Sequence, residues 1–253
     1  MSSRIAGEVA TSRENNLDHM MRLSERDPHY LLGLQPKGAW QFAEVLALMA
    51  KLCGVSPDPD HRYGQDTIDP DRTLDRLDAM AARLAIAADR KESVFIATGH
   101  PVGLRPTHTA VAAALGRAGC TLLTPARGWR HPDSSPYGDR GVLDYLDHVG
   151  VLMGYGGYPR HTHSPLLMEA VLDELASTGQ PPPDLVVADH GWAGAAGQAG
   201  IDSMGYADCN DPALFVGEAE GSVLVTVPLD DNVEPSLYGP MTQYLLARAG
   251  LTA

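Results

Sequence analysis

Apolar and polar positions change rhythm near residue 92. From there, short apolar runs alternate with longer segments of helical spacing. The runs are Val94 to Ala97, Cys120 to Leu123, Leu143 to Tyr145, Val149 to Met153, Leu185 to Ala188, Ser203 to Ala207 and Ser222 to Val227. The helical segments are Pro106 to Ala118, Pro165 to Ser177, the small-residue stretch after His190, Pro212 to Ala219, and Ser236 to Ala249. Strands and helices alternating at this spacing predict an α/β fold, a three-layer, mainly parallel Rossmann-like sheet.

The first 90 residues read differently and predict an N-terminal helical appendage, an arm and cap over residues 1–90 packed on a catalytic core over 91–253. Residues 1–36 are polar, with Leu17, Met20, Met21 and Leu23 on one face of short helical turns. Ala39 to Cys53 has an amphipathic spacing, stopped by Gly54 and Pro57. Pro70 to Asp89 predicts a helix with Pro in its first turn and Leu74, Leu77, Met80 and Leu84 on one stripe. Between these helices, Asp58 to Pro70 is polar and turn-rich. It is either a solvated connector with Asp69 capping the next helix, or a lid.

Chemistry gathers where the apolar runs end, which is where open α/β sheets bind ligands. Leu185 to Ala188 runs into Asp189-His190-Gly191, and Ser203 to Ala207 runs into Asp208-Cys209-Asn210-Asp211. Asp189, Asp208 and Asn210 offer hard oxygen donors, which suit Mg²⁺ or Mn²⁺. His190 opens the site to Co²⁺ or Ni²⁺ as well. Thr98, Gly99, His100 and Gly103 form a glycine-containing turn before a helix that begins near Arg105 and His108. Turn amides and a helix start make an anion site. Arg160-His161-Thr162-His163 sets two imidazoles on one side of an extended segment, for metal, phosphate or acid–base work. Asp211 is either a helix cap or a ligand, and Asp230 and Asp231 either close the site or belong to a turn.

Composition narrows the field. A formal net charge of −13 lacks the basic face that sequence-independent nucleic-acid binding needs. The three cysteines are far apart and suggest neither a zinc ribbon nor a disulfide framework, which fits the cytoplasm. No apolar window reaches membrane-spanning length. The arm packs on the main body or on a partner subunit, which leaves a homodimer open. There is no Gly-x-Ser-x-Gly elbow, Walker A loop or Gly-x-Gly-x-x-Gly fingerprint.

Several stretches are similar to a set of actinobacterial proteins labelled phosphatases. They are Arg4 to Thr11, Arg13 to Leu17, Gly64 to Pro70, Ala97 to Pro101, His161 to His163 and Val187 to Gly191. More faintly, Asp189-His190 and Ala207 to Asn210 resemble two metal-binding segments of the metal-dependent damage-control phosphatases. There His190 replaces an asparagine, and the phosphate-binding lysine is missing. The resemblance implies a metal-dependent phosphomonoesterase acting on a small phosphorylated metabolite: a sugar, nucleoside or cofactor phosphate. Asp189, His190, Asp208 and Asn210 would hold the metal, and Asp189 would also take part in catalysis. Thr98, Gly99, His100, Gly103, Arg105 and Arg160 would hold the phosphate, and His161 or His163 would be the general acid. Two rivals remain: a metal-free Rossmann-like lyase or isomerase using the paired histidines, and a non-enzymatic phosphometabolite-binding module.

Overall fold

The computed structural model describes residues 4–252. The chain begins with β1 (Gly7–Ser12), α1 (Arg13–Ser24), α2 (Phe42–Leu52), β2 (Gln65–Ile68) and α3 (Pro70–Arg90). It continues with β3 (Ser93–Ala97), α4 (Arg105–Ala118), β4 (Thr121–Leu122), β5 (Val142–Leu146), β6 (Val149–Met153) and β7 (Pro159–Arg160). The last part holds α5 (Leu166–Ser177), β8 (Leu185–Asp189), α6 (His190–Gln198), β9 (Ser203–Ala207), α7 (Pro212–Glu220), β10 (Val225–Pro228) and α8 (Gly239–Arg248).

The main sheet has eight strands in the order β10-β9-β8-β3-β6-β5, with β4 beside the start of β3 and β7 against the end of β6. Pairing is parallel from β10 through β9 and β8 to β3, and from β3 to both β4 and β6. β5 and β7 pair antiparallel with β6. The chain therefore leaves β3 for β4 on one side and returns to β8 on the other. That reversal puts a crevice at the carboxyl ends of β3 and β8, where such sheets take their ligands.

Both sheet faces are covered, so the central strands are apolar throughout rather than alternating. Val94, Ile96, Leu185 and Val187 pack with α3, α4 and α8. Phe95, Ala97, Val186 and Ala188 pack with α1, α2, α5, α6 and α7. Every residue of β8 is buried, including its terminal acid Asp189. The polar group at the end of that strand is thus delivered into protein rather than into water.

The first ninety residues hold more than helices. β1 and β2 form an antiparallel ribbon, with Gly7 opposite Ile68, so part of the Asp58 to Pro70 connector is a strand. Period-2 spacing over four residues was too short to mark it. Arg13 opens α1 and is fully buried against Asp66 at 2.7 Å; it also donates to the carbonyls of Asp58 and His61. This fixes the connector to the arm. Asp69 accepts from the Asp71 amide and caps α3, as its place before Pro70 predicts. The buried stripe of α3 starts at Thr73, which donates to the Pro228 carbonyl, and Leu74 is 44% exposed rather than part of it. No helix among the described residues is long and apolar enough to cross a membrane.

Candidate active site

The crevice between β3 and β8 is organised by Asp189. Its Oδ2 accepts from the Thr98 hydroxyl (2.6 Å) and His108 Nε2 (3.0 Å). Its Oδ1 accepts from the Gly99 amide (2.6 Å) and His190 Nδ1 (2.8 Å). Burial pushes this carboxyl up, yet the hydrogen bonds from His108 and His190 hold it far below the usual carboxylate range. An ionised carboxylate offers only lone pairs, so His108 and His190 carry their protons on the facing nitrogens. His190 is therefore anchored at Nδ1, and its Nε2 points away from Asp189. The residue sits at φ +49°, a left-handed conformation uncommon outside glycine and tolerated better by histidine than by most side chains.

Around His190 Nε2 lie two kinds of donor. On one side are the carboxylates of Asp211 (3.4 Å) and Asp231 (3.6 Å). On the other is His161 Nε2 at 3.5 Å, with the His163 ring centred 4.7 Å from that of His190. His100 adds its Nε2, 3.9 Å from Asp231. Close backbone approach makes this possible. The Thr162 amide donates to the Gly99 carbonyl (2.9 Å), and a Cβ on Gly99 would meet the Thr162 carbonyl oxygen at 2.4 Å. A Cβ on Gly191 would meet the His163 carbonyl oxygen at 2.4 Å. Glycine at both places lets the His161–His163 segment press against the start of α6.

The electrostatics separate these groups. Burial alone would lower the His190 imidazole, but Asp211 and Asp189 lift it well above its ordinary value. Burial, aided by His190, depresses His161 to about 4 and His163 to about 3, and it lowers His100 as well. Three neutral imidazoles thus surround one that attracts positive charge. Asp211 and Asp231 are buried, and among the described residues neither side chain accepts from an amide or hydroxyl. Two donor sets emerge, His190–Asp211–Asp231 and His161–His163–His190. Within each, the ligand atoms lie within 4.8 Å of one another. Separations of 3.4–3.6 Å about Nε2 match the edges of a coordination shell with bonds of ~2.1 Å.

A cleft of about 310 Å³ opens beside the cluster, lined by His100, Pro101, Val102, Gly103, His161, Asn232 and Val233. Its walls are mostly apolar, and no lysine or arginine lines it.

A family model described as Phosphatase matches residues 1–253. The chain belongs to that family. It is also 51% identical over 251 residues, 98% of this chain and 93% of the relative, to Phosphatase SCO2771 of Streptomyces coelicolor.

Within this phosphatase-family site, the residues expected from the sequence divide. His100, His161, His163, Asp189 and His190 come together. Asp189 does so as the support of His190, because four donors already occupy its oxygens. Thr98 and Gly99 do not offer their donors to a phosphate; the hydroxyl and amide are taken by the Asp189 carboxylate. Asp208 is buried, and burial pushes its carboxyl up to about 7, but its oxygens accept from Thr11 and the Cys209 amide. Asn210 turns outward to Asn15, and its carbonyl meets His19. Arg105 lies 3.6 Å from Asp147 and Arg160 is exposed on β7; neither lines the cleft. His161 and His163 are depressed by desolvation and by His190, which disfavours the protonated form a general acid needs, although the His161 side chain reaches solvent. Asp230 is tied to the Ala10 and Asn232 amides.

Two roles were hidden in the sequence. Asp211 precedes Pro212 like a cap but makes no capping bond, and its carboxylate faces His190 instead. His108, grouped with the anion turn, is fully buried behind Asp189. A polar residue four positions inside a helix was the only signal.

Proposed function

We propose that this protein is a metal-dependent phosphomonoesterase acting on a small phosphorylated metabolite. One observation carries the reading. Asp211 and Asp231 are buried, accept from no amide or hydroxyl, and converge on the one imidazole nitrogen of His190 that Asp189 leaves over. Two buried acids sharing a single imidazole as their near partner are costly, and a divalent cation in place of the shared proton would satisfy both. The phosphatase family supplies the reaction class, and the donor set supplies the metal dependence.

His190, Asp211 and Asp231 would hold a divalent ion. When bound, such an ion supplies the charge that phosphoryl oxygens need and makes water a nucleophile at neutral pH. The nitrogen donors favour Mn²⁺, Co²⁺, Ni²⁺ or Zn²⁺ over Mg²⁺. Asp189 fixes the tautomer and direction of His190, as carboxylates behind metal-ligating histidines do. Thr98, Gly99 and His108 hold Asp189 in turn. The cleft would take the organic part of the substrate against Pro101, Val102 and Val233, with His100 and Asn232 as polar contacts. With no lysine or arginine lining the cleft, the phosphate would rely on the cation.

The test is p-nitrophenyl phosphate turnover by EDTA-stripped protein, with Mg²⁺, Mn²⁺, Co²⁺, Ni²⁺ and Zn²⁺ restored singly. Activity should return with a transition metal and be lost in His190→Ala, Asp211→Asn and Asp231→Asn. Undiminished activity in EDTA would sink the metal reading and return the chemistry to the imidazoles.

A further inference from the structure

We propose that the site holds two divalent ions, one on each side of His190, and that His161 and His163 are ligands of the second. This rests on the metal-dependent reading above and deepens it.

The first argument is one of valence. Both donor sets include His190. Its Nδ1 is engaged with Asp189, so only Nε2 remains, and an imidazole nitrogen has one lone pair to give. An ion bound by His190, Asp211 and Asp231 uses it up. His161 Nε2 then faces a nitrogen with nothing to share, 3.5 Å away. His163 Nδ1 is buried with no hydrogen-bond partner. The two imidazoles stand edge to face, 4.8 Å between ring centres, and an ion would give the unshared nitrogens a common partner.

The second argument is one of charge. Asp189, Asp211 and Asp231 crowd about His190, and among the described residues no lysine or arginine pairs with any of them. Lysine occurs only at 37, 51 and 91. With the three acids ionised and His190 neutral, as ligation of an ion requires, one divalent ion leaves a negative balance before a phosphate dianion arrives. A second ion turns the balance positive. Like-sign contact at such range in a partly dry site is expensive.

The third argument is access. His161 belongs both to the second donor set and to the wall of the cleft. An ion on His161 and His163 would meet phosphoryl oxygens entering from that cleft. The first would lie deeper, among His190 and the two acids. In two-ion phosphoryl-transfer sites the ions stand about 3.5–4 Å apart, on the scale of the donors flanking Nε2.

The experiment is equilibrium dialysis of the stripped, full-length protein against Mn²⁺, with elemental analysis and electron paramagnetic resonance of the bound ion. Wild type should hold two Mn²⁺ per chain at saturation and show a spin-coupled spectrum. The variant His161→Ala/His163→Ala, checked for an unchanged circular dichroism spectrum, should hold one and show uncoupled Mn²⁺. If that variant misfolds, the wild-type stoichiometry and coupling decide alone. One Mn²⁺ per wild-type chain would overturn the two-ion proposal, and two in both proteins would overturn His161 and His163 as ligands of the second; either result would leave metal dependence intact. No bound Mn²⁺ at all would overturn both.

Discussion

Replacing Asp189 by asparagine tests the frame of the site. The substitution keeps the shape and removes one acceptor and the charge. The new amide NH₂ would take the place of Oδ1 or Oδ2. At Oδ1 it would meet the Gly99 amide, which can only donate, so that orientation fails. At Oδ2 its neighbours can adapt: the Thr98 hydroxyl can rotate, and His108 can move its proton to Nδ1, which has no partner. The introduced asparagine should therefore keep its oxygen toward Gly99 and His190 and lose mainly ionic strength of bonding. Bonds to a charged group contribute about 1.5–3 kcal/mol and neutral ones about 0.5–1.5. With four bonds affected unequally, the expected loss is about 2–4 kcal/mol, or roughly 4–16 °C in Tm for a chain of this size. Asp189→Ala strands four buried donors and should cost more. The folded carboxyl lies far below its unfolded value, so this stability is present above about pH 4 and lost as pH falls further. The assay is urea unfolding of metal-free wild type, Asp189→Asn and Asp189→Ala at several pH values, with metal affinity measured alongside. Metal should bind the asparagine variant about 10–100-fold more weakly. An asparagine variant as stable as wild type at neutral pH, or a gap that does not shrink in acid, would refute the four-donor account.

Three further outcomes are expected. Gly191→Ala should cost about 1–3 kcal/mol, because its Cβ would sit 2.4 Å from the His163 carbonyl oxygen; it should also weaken metal binding by pushing the His161–His163 segment away, read by thermal melts and dialysis. Arg105→Ala and Arg160→Ala should each change kcat/KM by less than about 3-fold, since neither residue lines the cleft; a tenfold loss in either would restore it to the phosphate site. Asp66→Asn should destabilise by about 3–5 kcal/mol through the stranded Arg13. Burial raises the Asp66 carboxyl, but the bonds from Arg13 and Asn16 outweigh it and lower it overall, so this contribution is present at neutral pH and fades as pH falls below about 4. Urea titrations across pH should show that fading in wild type and not in the variant.

The helices and the central strands were legible because each is a local pattern: β6 and β9 match the apolar runs residue for residue. β1 and β2 were not, because their pairing spans some fifty residues of chain and each is half exposed. The site was legible as a set of strand ends. Its divisions of labour were not. Thr11 and Ala10, in a polar arm, supply donors to Asp208 and Asp230. Nothing in the arm's sequence says that it reaches across to the acids beyond β9 and β10.

That supply of donors decides what each acid does. Asp189, Asp208, Asp211, Asp230 and Asp231 look alike in sequence, each at or just past the end of a parallel strand. Amides, hydroxyls and imidazoles engage both oxygens of Asp189, Asp208 and Asp230. Those three are positioned by the fold and are poor candidates to bind anything new. Asp211 and Asp231 are left with His190 and His100 alone. An acid satisfied by hydrogen-bond donors braces its neighbours, and a buried acid without them calls for a cation. The sequence resemblance implies a metal on Asp189, His190, Asp208 and Asn210. Under the proposed reading, hydrogen-bond supply favours Asp211 in the loop after β9 and Asp231 in the loop after β10 instead, with His190 kept as a ligand.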